Sequence, residues 1–186
     1  MQLNKSFYSG KTIILQLVNM LFSITPLTRW YGIRSWLLRV AGINCHASAR
    51  IVASCRIVTQ NVTIGADTFI GHQTLITGTE TASIRIGNSV DIAPRVVILS
   101  GTHDIDMLGA HSAGVGKGAP VEIQDGVWIG ANSTITPGVT IGRKSIIGAG
   151  SVVVSDIPPF CVASGNPCRP LKLWSAETNS FDEIGR

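Results

Sequence analysis

The residue best suited to proton transfer in this sequence is His103, in the run Ser100-Gly101-Thr102-His103-Asp104. Imidazole accepts and returns protons near neutral pH, so a histidine within reach of a substrate hydroxyl is a candidate general base. The segment 103–120 that starts at this histidine is rich in glycine and alanine and interrupts an otherwise regular aliphatic period. A loop histidine is often only solvated or structural, so its role depends on where the fold places it.

The elements that must position His103 are indicated by a six-residue period. From Ile123 every sixth residue is a branched aliphatic, and a small or β-branched residue follows each of them four positions later. A helix has a period of about 3.6 and a two-sided strand a period of 2, so neither explains the pattern. A chain that makes a short strand, turns and repeats closes a three-sided coil, whose strands stack about 4.8 Å apart. The period therefore predicts an all-β solenoid, with glycines after the aliphatics to tolerate the turn angles. The aliphatics are Ile123, Ile129, Ile135, Ile141, Ile147 and Val153.

The period extends upstream with interruptions. Ile64, Ile70 and Ile76 are in register, four extra residues within 78–85 predict a bulging corner, and Ile86 begins a second series. Ile51 and Ile57 begin the pattern less regularly, so about fourteen hexapeptides, or four to five coils, are expected. We predict a solenoid domain over residues 46–158 with a flexible flap at 103–120. A tail at 159–186 is expected to be extended, then polar, with a short terminal helix.

The N-terminal segment, residues 1–45, is basic and apolar. It contains five Lys or Arg residues, and the first acidic residue of the chain is Asp67. Apolar residues at helical spacing between Thr12 and Val40, broken at Pro26, predict two short helices. The apolar stretch is too short to span a bilayer, and we expect a cytoplasmic protein without a signal peptide. Peripheral contact with the anionic inner face of a membrane and packing on the chain's own domain both remain open interpretations.

Cysteine spacing and overall charge exclude other classes. Cys45, Cys55, Cys161 and Cys168 show no paired spacing, which predicts buried apolar residues in a reducing compartment rather than a disulfide or zinc framework. The net charge of +4 comes without a basic patch interleaved with aromatics, so we expect no nucleic acid partner.

Several motifs together carry a resemblance to a known family. Besides the Thr-His step at 102–103, these are Val127-Trp128-Ile129-Gly130-Ala131, Ile147-Gly148-Ala149-Gly150-Ser151 and Gly165-Asn166-Pro167-Cys168-Arg169-Pro170. The chain resembles the hexapeptide-repeat acetyltransferases, in the branch of sugar and exopolysaccharide O-acetyltransferases. The resemblance covers about residues 64–172 and implies a left-handed parallel β-helix, acetyl-CoA as co-substrate, no metal, and homotrimers with active sites in the clefts between subunits.

The resemblance also implies roles for individual residues. His103 would deprotonate an acceptor hydroxyl, which then attacks the thioester directly. Ala131 and Ala149 would contact the pantetheine arm of the cofactor, beside Trp128 at the thioester end. Three further residues would lie near the remainder of coenzyme A, with cationic ones at its phosphates; these are Ser155, Arg169 and Lys172. The expected acceptor-binding residues are Gln73, Glu80, Thr81 and Asp104.

Alternatives remain open at this stage. An N-acetyltransferase for nucleotide-linked amino sugars, or an antibiotic acetyltransferase, would use the same fold and cofactor. A zinc carbonic anhydrase would recruit His72, His103 and His111 around a metal, although their spacing does not resemble that ligand set. A non-enzymatic β-helix scaffold would leave the Thr-His step without a use.

Overall fold

A computed structural model describes residues 10–26 and 28–184. Two helices, α1 (Gly10–Ser23) and α2 (Tyr31–Val40), precede a chain of short strands. Nearly all of these strands contain two or three residues, so each is one side of a narrow coil. In order they are β1 (Asn44–Cys45), β2 (Arg50–Ile51), β3 (Arg56–Ile57), β4 (Val62–Ile64), β5 (Phe69–Ile70), β6 (Leu75–Thr77), β7 (Ile84–Ile86), β8 (Asp91–Ile92), β9 (Val97–Leu99), β10 (Gly101–Ile105), β11 (Ala113–Gly118), β12 (Val121–Ile123), β13 (Trp128–Ile129), β14 (Thr134–Ile135), β15 (Thr140–Ile141), β16 (Ile146–Ile147), β17 (Val152–Val153), β18 (Cys161–Gly165), β19 (Cys168–Ser175) and β20 (Ser180–Glu183).

Apart from the β10–β11 pair, the strands form three sheets that are parallel within the coils, and successive coil strands belong to sheets A, B and C in turn. Sheet A has the order β1-β4-β7-β12-β15, sheet B runs from β2 to β20, and sheet C has the order β3-β6-β9-β14-β17. The register stacks one periodic aliphatic on the next, for example Ile92 on Ile129 and Ile129 on Ile147. All of these side chains are buried, so they fill the prism as the period predicts. The predicted left-handed parallel β-helix is confirmed, and its five coils begin with β1 at Asn44.

The expected role of the glycines was wrong. Where a corner residue has a left-handed backbone angle, it is commonly the third residue after an inward aliphatic, as at Asn132 (φ 59°) and Gly150 (φ 72°). The glycine directly after the aliphatic has a different reason, because a Cβ on Gly130 would lie 2.5 Å from the backbone N of Ala149 in the next coil. Gly142 is similarly close to Pro159. These glycines let adjacent coils stack at strand distance.

The insertions into the period all fall at the corner between sheets C and A. We call this the C–A corner, residues 58–61, 78–83, 100–120, 136–139 and 154–156. The largest insertion contains the segment 103–120 that is predicted to be a flexible flap, and it forms an antiparallel hairpin of β10 and β11. The corner on the other side of sheet C, the B–C corner, has no insertion and comprises residues 52–55, 71–74, 93–96, 130–133 and 148–151. The chain thus has one elaborated corner and one smooth corner flanking the same sheet.

The two predicted N-terminal helices are present and cover the first coil. Leu15, Val18 and Phe22 of α1 and Leu38 of α2 are buried in the same core as the coil aliphatics. Arg34 is fully buried and donates to the carbonyl oxygens of Ile51, Pro26 and Arg29, so this part of the basic segment packs on its own domain.

Asn19 closes the open edge of sheet C. Its Nδ2 donates to the Ile57 carbonyl at 2.7 Å, and its Oδ1 accepts from the Ile57 N–H at 3.0 Å. The amide side chain therefore replaces the strand of a missing coil, which satisfies backbone groups at a sheet edge.

Replacing Asn19 with alanine is expected to lower the free energy of unfolding by about 1–3 kcal/mol, because both Ile57 backbone groups lose their partner. Urea denaturation measures the change. Gln16→Ala is the matched control, since the exposed Gln16 lies on the same helix. An equal effect of the two substitutions would contradict the edge-closing role of Asn19.

The tail contains no terminal helix within its described residues, and that expectation was wrong. Instead β18 continues sheet B, and β19 and β20 add to it as antiparallel strands. Trp174 and Phe181 pack edge to face across this ribbon with ring centroids 5.1 Å apart. The strands thereby extend the sheet past the last coil and cover that end of the prism.

Candidate active site

His103 lies on the hairpin at the C–A corner. It pairs with Gly116 in the antiparallel ladder, and its side chain is exposed. A Cβ on Gly116 would lie 3.8 Å from the imidazole Nε2, so the partner strand passes directly beside the ring. The hairpin is a defined ladder, and it presents the imidazole to solvent from a fixed strand.

The base of the hairpin packs on the bulging corner of the preceding coil. Gly118 lies so close to Thr79 that a Cβ built on it would be 2.3 Å from Thr79 Oγ1. Nearby, Ser100 Oγ donates a hydrogen bond to the Ala82 carbonyl at 3.0 Å. The hydroxyls of Thr79 and Thr81 lie 3.1 Å apart. Two predicted acceptor-binding residues, Glu80 and Thr81, therefore belong to the same corner as His103.

Asp104, also predicted to bind the acceptor, has a partner within the hairpin. Its carboxylate forms an ion pair with Lys117 on the opposite strand. In the sequence, Lys117 is only one residue of the glycine-rich segment 103–120. Its ion pair with Asp104 could not be predicted, because it depends on the register of the two strands. Asp106 was also missed; its carboxylate accepts from the backbone N–H groups of Leu108 and Gly109 at 2.9 and 2.8 Å. These hydrogen bonds lower the pKa of Asp106 and hold the turn at the hairpin tip.

The predicted cofactor contacts follow the B–C corner instead. The Ala131 carbonyl accepts from the Gly150 N–H at 2.8 Å, which places Ala131 and Ala149 on adjacent coils. We call the stack of residues along the B–C corner the B–C column. Gln73 lies lower in the same column, where its N–H donates to Ser54 Oγ at 3.0 Å. Small side chains leave the column open, and nothing lies within 4 Å of a Cβ built on Gly150.

The cationic residues of the tail lie beyond the last coil. Arg169 pairs with Ser164 in the β18–β19 ladder, which places it at the upper end of the B–C column. One of its guanidinium nitrogens donates to the neighbouring Cys168 carbonyl at 2.9 Å, and the side chain is exposed. Lys172 forms a 2.6 Å ion pair with Glu183. A coenzyme A phosphate that binds Lys172 would therefore compete with the Glu183 carboxylate. Trp128 projects from the outer face of sheet B and is exposed.

The site residues therefore divide into two groups within one chain. Gln73, Ala131, Ala149 and Arg169 lie along the B–C corner, whereas His103, Asp104, Glu80, Thr81 and Ser155 lie along the C–A corner. Two residues depart from their predicted roles, because the expected acceptor residue Gln73 lies with the cofactor residues and the expected cofactor residue Ser155 lies with His103. Sheet C separates the two corners, so one chain does not bring His103 next to Ala131 and Ala149.

The histidines of the zinc alternative are dispersed. His72 lies at the B–C corner and bonds Ser54 through Nδ1, while His103 and His111 belong to the hairpin at the other corner. Within residues 10–26 and 28–184 no group of three potential ligands could hold a metal ion.

The four cysteines are free and buried, as their spacing predicted. Burial raises the pKa of Cys55 to about 12 and that of Cys45 to about 11. Burial also raises the pKa values of Cys161 and Cys168. All four are protonated near neutral pH and behave as small apolar side chains.

Comparisons with known proteins agree with this architecture. Residues 120–155 match the family model described as bacterial transferase hexapeptide (six repeats). The solved maltose O-acetyltransferase from Clostridium difficile 630 is 36% identical, with a TM-score of 0.76 over 87% of this chain and 85% of that protein. This chain belongs to the hexapeptide-repeat acetyltransferase family.

Two further members of this family are similar to the chain. A hexapeptide-repeat acetyltransferase from Vibrio cholerae, solved with acetyl coenzyme A, is 27% identical, with a TM-score of 0.71 over 89% of this chain and 88% of that one. The galactoside O-acetyltransferase of Escherichia coli is 39% identical over 112 residues, which cover 60% of this chain and 54% of that protein. The chain spans about half the length of the curated relatives it matches.

Proposed function

We propose that this protein transfers the acetyl group of acetyl-CoA to a hydroxyl of a sugar or glycan, with His103 as the general base. The observation that carries the proposal is the exposed imidazole at a fixed position on the C–A hairpin, next to the corner bearing Glu80 and Thr81. The names of the maltose and galactoside relatives support a sugar acceptor.

The residues of the B–C column fit acetyl-CoA. Ala131, Ala149 and Gly150 leave the backbone accessible to an extended pantetheine arm, and Arg169 offers guanidinium donors for phosphate at the end of the column. Acetyl-CoA supplies an acetyl group activated as a thioester. The column would orient that group, with Trp128 on the neighbouring face.

The chemistry that His103 performs is proton transfer. A sugar hydroxyl is a weak nucleophile until its proton is removed, and the ring nitrogen accepts that proton as the oxygen attacks the thioester carbonyl carbon. The carbon–sulfur bond then breaks, and the imidazolium returns the proton to the departing sulfur. The acetyl ester and free coenzyme A are the products, and no acyl-enzyme is needed.

The separation of the two corners supports a homotrimer. Prisms packed side by side would bring the B–C corner of one copy against the C–A corner of the next, which completes the site from two chains. The same fold and cofactor would also serve N-acetylation of an amino sugar. An amine acceptor is therefore the principal alternative to the proposed hydroxyl acceptor.

The decisive experiment is an acetyl-CoA-dependent thiol-release screen of the full chain. It covers simple sugars, lipid-linked oligosaccharides, nucleotide-linked amino sugars and antibiotic amines or hydroxyls. Release with hydroxyl acceptors is the expected result. Exclusive use of amines would replace O-acetylation by N-acetylation, and no release with any acceptor would contradict the proposed activity.

Replacing Ala149 with leucine is expected to raise the KM for acetyl-CoA by about tenfold or more, because the larger side chain fills the open column. The change in kcat is expected to be smaller, since the substitution leaves the general base itself unchanged. Steady-state kinetics measure the split, and Ala176→Leu in the exposed tail turn is the matched control. An unchanged KM would remove Ala149 from the cofactor site.

A further inference from the structure

The two N-terminal helices carry an apolar surface that the rest of the described chain leaves uncovered. Helix α1 directs Leu15, Val18, Phe22 and the polar Asn19 toward the coil. Its opposite side is apolar and exposed, and the exposure continues past the helix and over α2. The residues that define this helical apolar surface include Ile13, Leu17, Met20, Ile24, Trp30 and Trp36, with Met20 63%, Ile24 78% and Trp36 54% exposed.

This distribution differs from that on an ordinary surface helix, whose outward side is polar. Helix α1 buries Leu15, Val18 and Phe22, yet aliphatic side chains also face outward. Large exposed apolar patches on soluble domains usually mark a binding site. The exposed tryptophans indicate a boundary between apolar and aqueous phases, because indole is favoured there.

The charge around the surface selects its partner. No acidic residue precedes Asp67, while Arg29, Arg39 and Arg56 are exposed on or beside the helices. None of these three forms an ion pair with an acidic side chain in the described part of the chain. Arg34 is buried and does not contribute. The surface is therefore apolar and is accompanied by positive charges. A partner that fits it has an apolar interior and negatively charged groups at its surface.

We propose that the helical apolar surface binds the interface of an anionic lipid bilayer, with α1 and α2 lying in the plane of the membrane. Apolar side chains on one face flanked by arginines are the pattern of interfacial helices. Among the described residues no helix is long and apolar enough to cross a bilayer. The 14 residues of α1 extend for about 21 Å, short of the roughly 30 Å hydrocarbon core.

A second copy of the chain fits this surface less well. A two-fold contact would place the same patch on both partners and bring the arginine rims together without acidic partners. A bilayer containing anionic lipids instead neutralises the rim and covers the apolar side chains. In the trimer of the proposed function, side-by-side prisms would present three such surfaces at one end, so avidity would add to the affinity of each.

The test is sedimentation of the full chain with vesicles of phosphatidylcholine and phosphatidylglycerol, compared with vesicles of phosphatidylcholine alone. We expect binding to the anionic vesicles, a blue shift of tryptophan fluorescence, and weaker binding at high salt. The combined substitution Met20→Gln, Ile24→Gln and Trp36→Gln is expected to weaken binding at least about tenfold. The matched control, Leu171→Gln with Ile184→Gln at the other end of the prism, is expected to bind as the unmodified chain does.

Other results would overturn membrane binding. These are failure to bind anionic vesicles, equal binding by both sets of variants, or binding that appears only after residues 1–9 are removed. A loss of self-association in the triple variant, without vesicle binding by the unmodified chain, would assign the surface to a second copy. Thiol release with a soluble acceptor is measured on the same variants, and it is expected to be unaffected, so failure of membrane binding is distinguishable from failure of the acetyltransferase proposal.

Discussion

Replacing His103 with alanine is expected to lower kcat by about 10²–10⁴, because the acceptor hydroxyl loses the group that removes its proton. The substitution lies on an exposed strand of the hairpin, away from the buried aliphatics, so folding and assembly are expected to be unchanged. Thiol release at saturating acetyl-CoA measures the loss, and light scattering measures the assembly.

The matched control for this result is His111→Ala. His111 lies at the exposed tip of the same hairpin, outside its paired strands. We expect it to retain activity within a few fold, so that a loss confined to position 103 identifies the base rather than the hairpin. Near-normal turnover of the His103 variant would refute general-base catalysis by this residue while leaving the fold untouched.

Truncating Ile147 to alanine is expected to lower the free energy of unfolding by about 2–5 kcal/mol, since it removes a fully packed aliphatic and leaves a cavity. Ile147 lies between Ile129 and Ala163 in the interior of the prism and is 1% exposed. Urea denaturation at a fixed protein concentration measures the effect, because dissociation of an oligomer would add a concentration dependence.

Ile146→Ala is the control for this prediction within the same strand. Ile146 is the adjacent residue of β16, but it lies on the outer side of sheet B and is partly exposed. We expect its truncation to cost less than half as much as that of Ile147. Equal costs would mean that the two faces of the strand are equivalent in energy, which contradicts a one-sided core.

Membrane attachment and acetyl transfer would act together on one class of acceptor. A protein held at a bilayer by its helical apolar surface meets membrane-anchored glycans at high local concentration. Among the hydroxyl acceptors in the thiol-release screen, a lipid-linked oligosaccharide would then gain most from anionic vesicles.

For the N-terminal segment, residues 1–45, the sequence alone does not decide between membrane contact and packing on the domain. The basic composition of residues 1–45 suits either membrane contact or packing on the domain. The structure assigns Arg34 and the buried side chains of both helices to packing and leaves the opposite side of α1 uncovered. Charge counts contain no information on which side of a helix is covered, because covering depends on the neighbouring coil.

The sequence alone determined the solenoid, since one inward aliphatic per six residues has only one economical arrangement in space. Ile123, Ile129 and Ile135 could be placed on three different sheets from spacing alone, and the structure pairs them as that spacing requires. The motifs around His103, Trp128 and Arg169 likewise pointed to the family without coordinates. These are local features, carried by residues close together in the chain.

Tertiary structure alone decided the hairpin, the ribbon in the tail and the partition of site residues between two corners. The pairing of Asp104 with Lys117 depends on an antiparallel register that breaks the six-residue period. The placement of Ala131 and His103 at different corners depends on the lengths of the insertions in the coils between them. Hydrogen bonds between strands that are distant in the sequence set these positions, and a six-residue period no longer predicts them once insertions interrupt it.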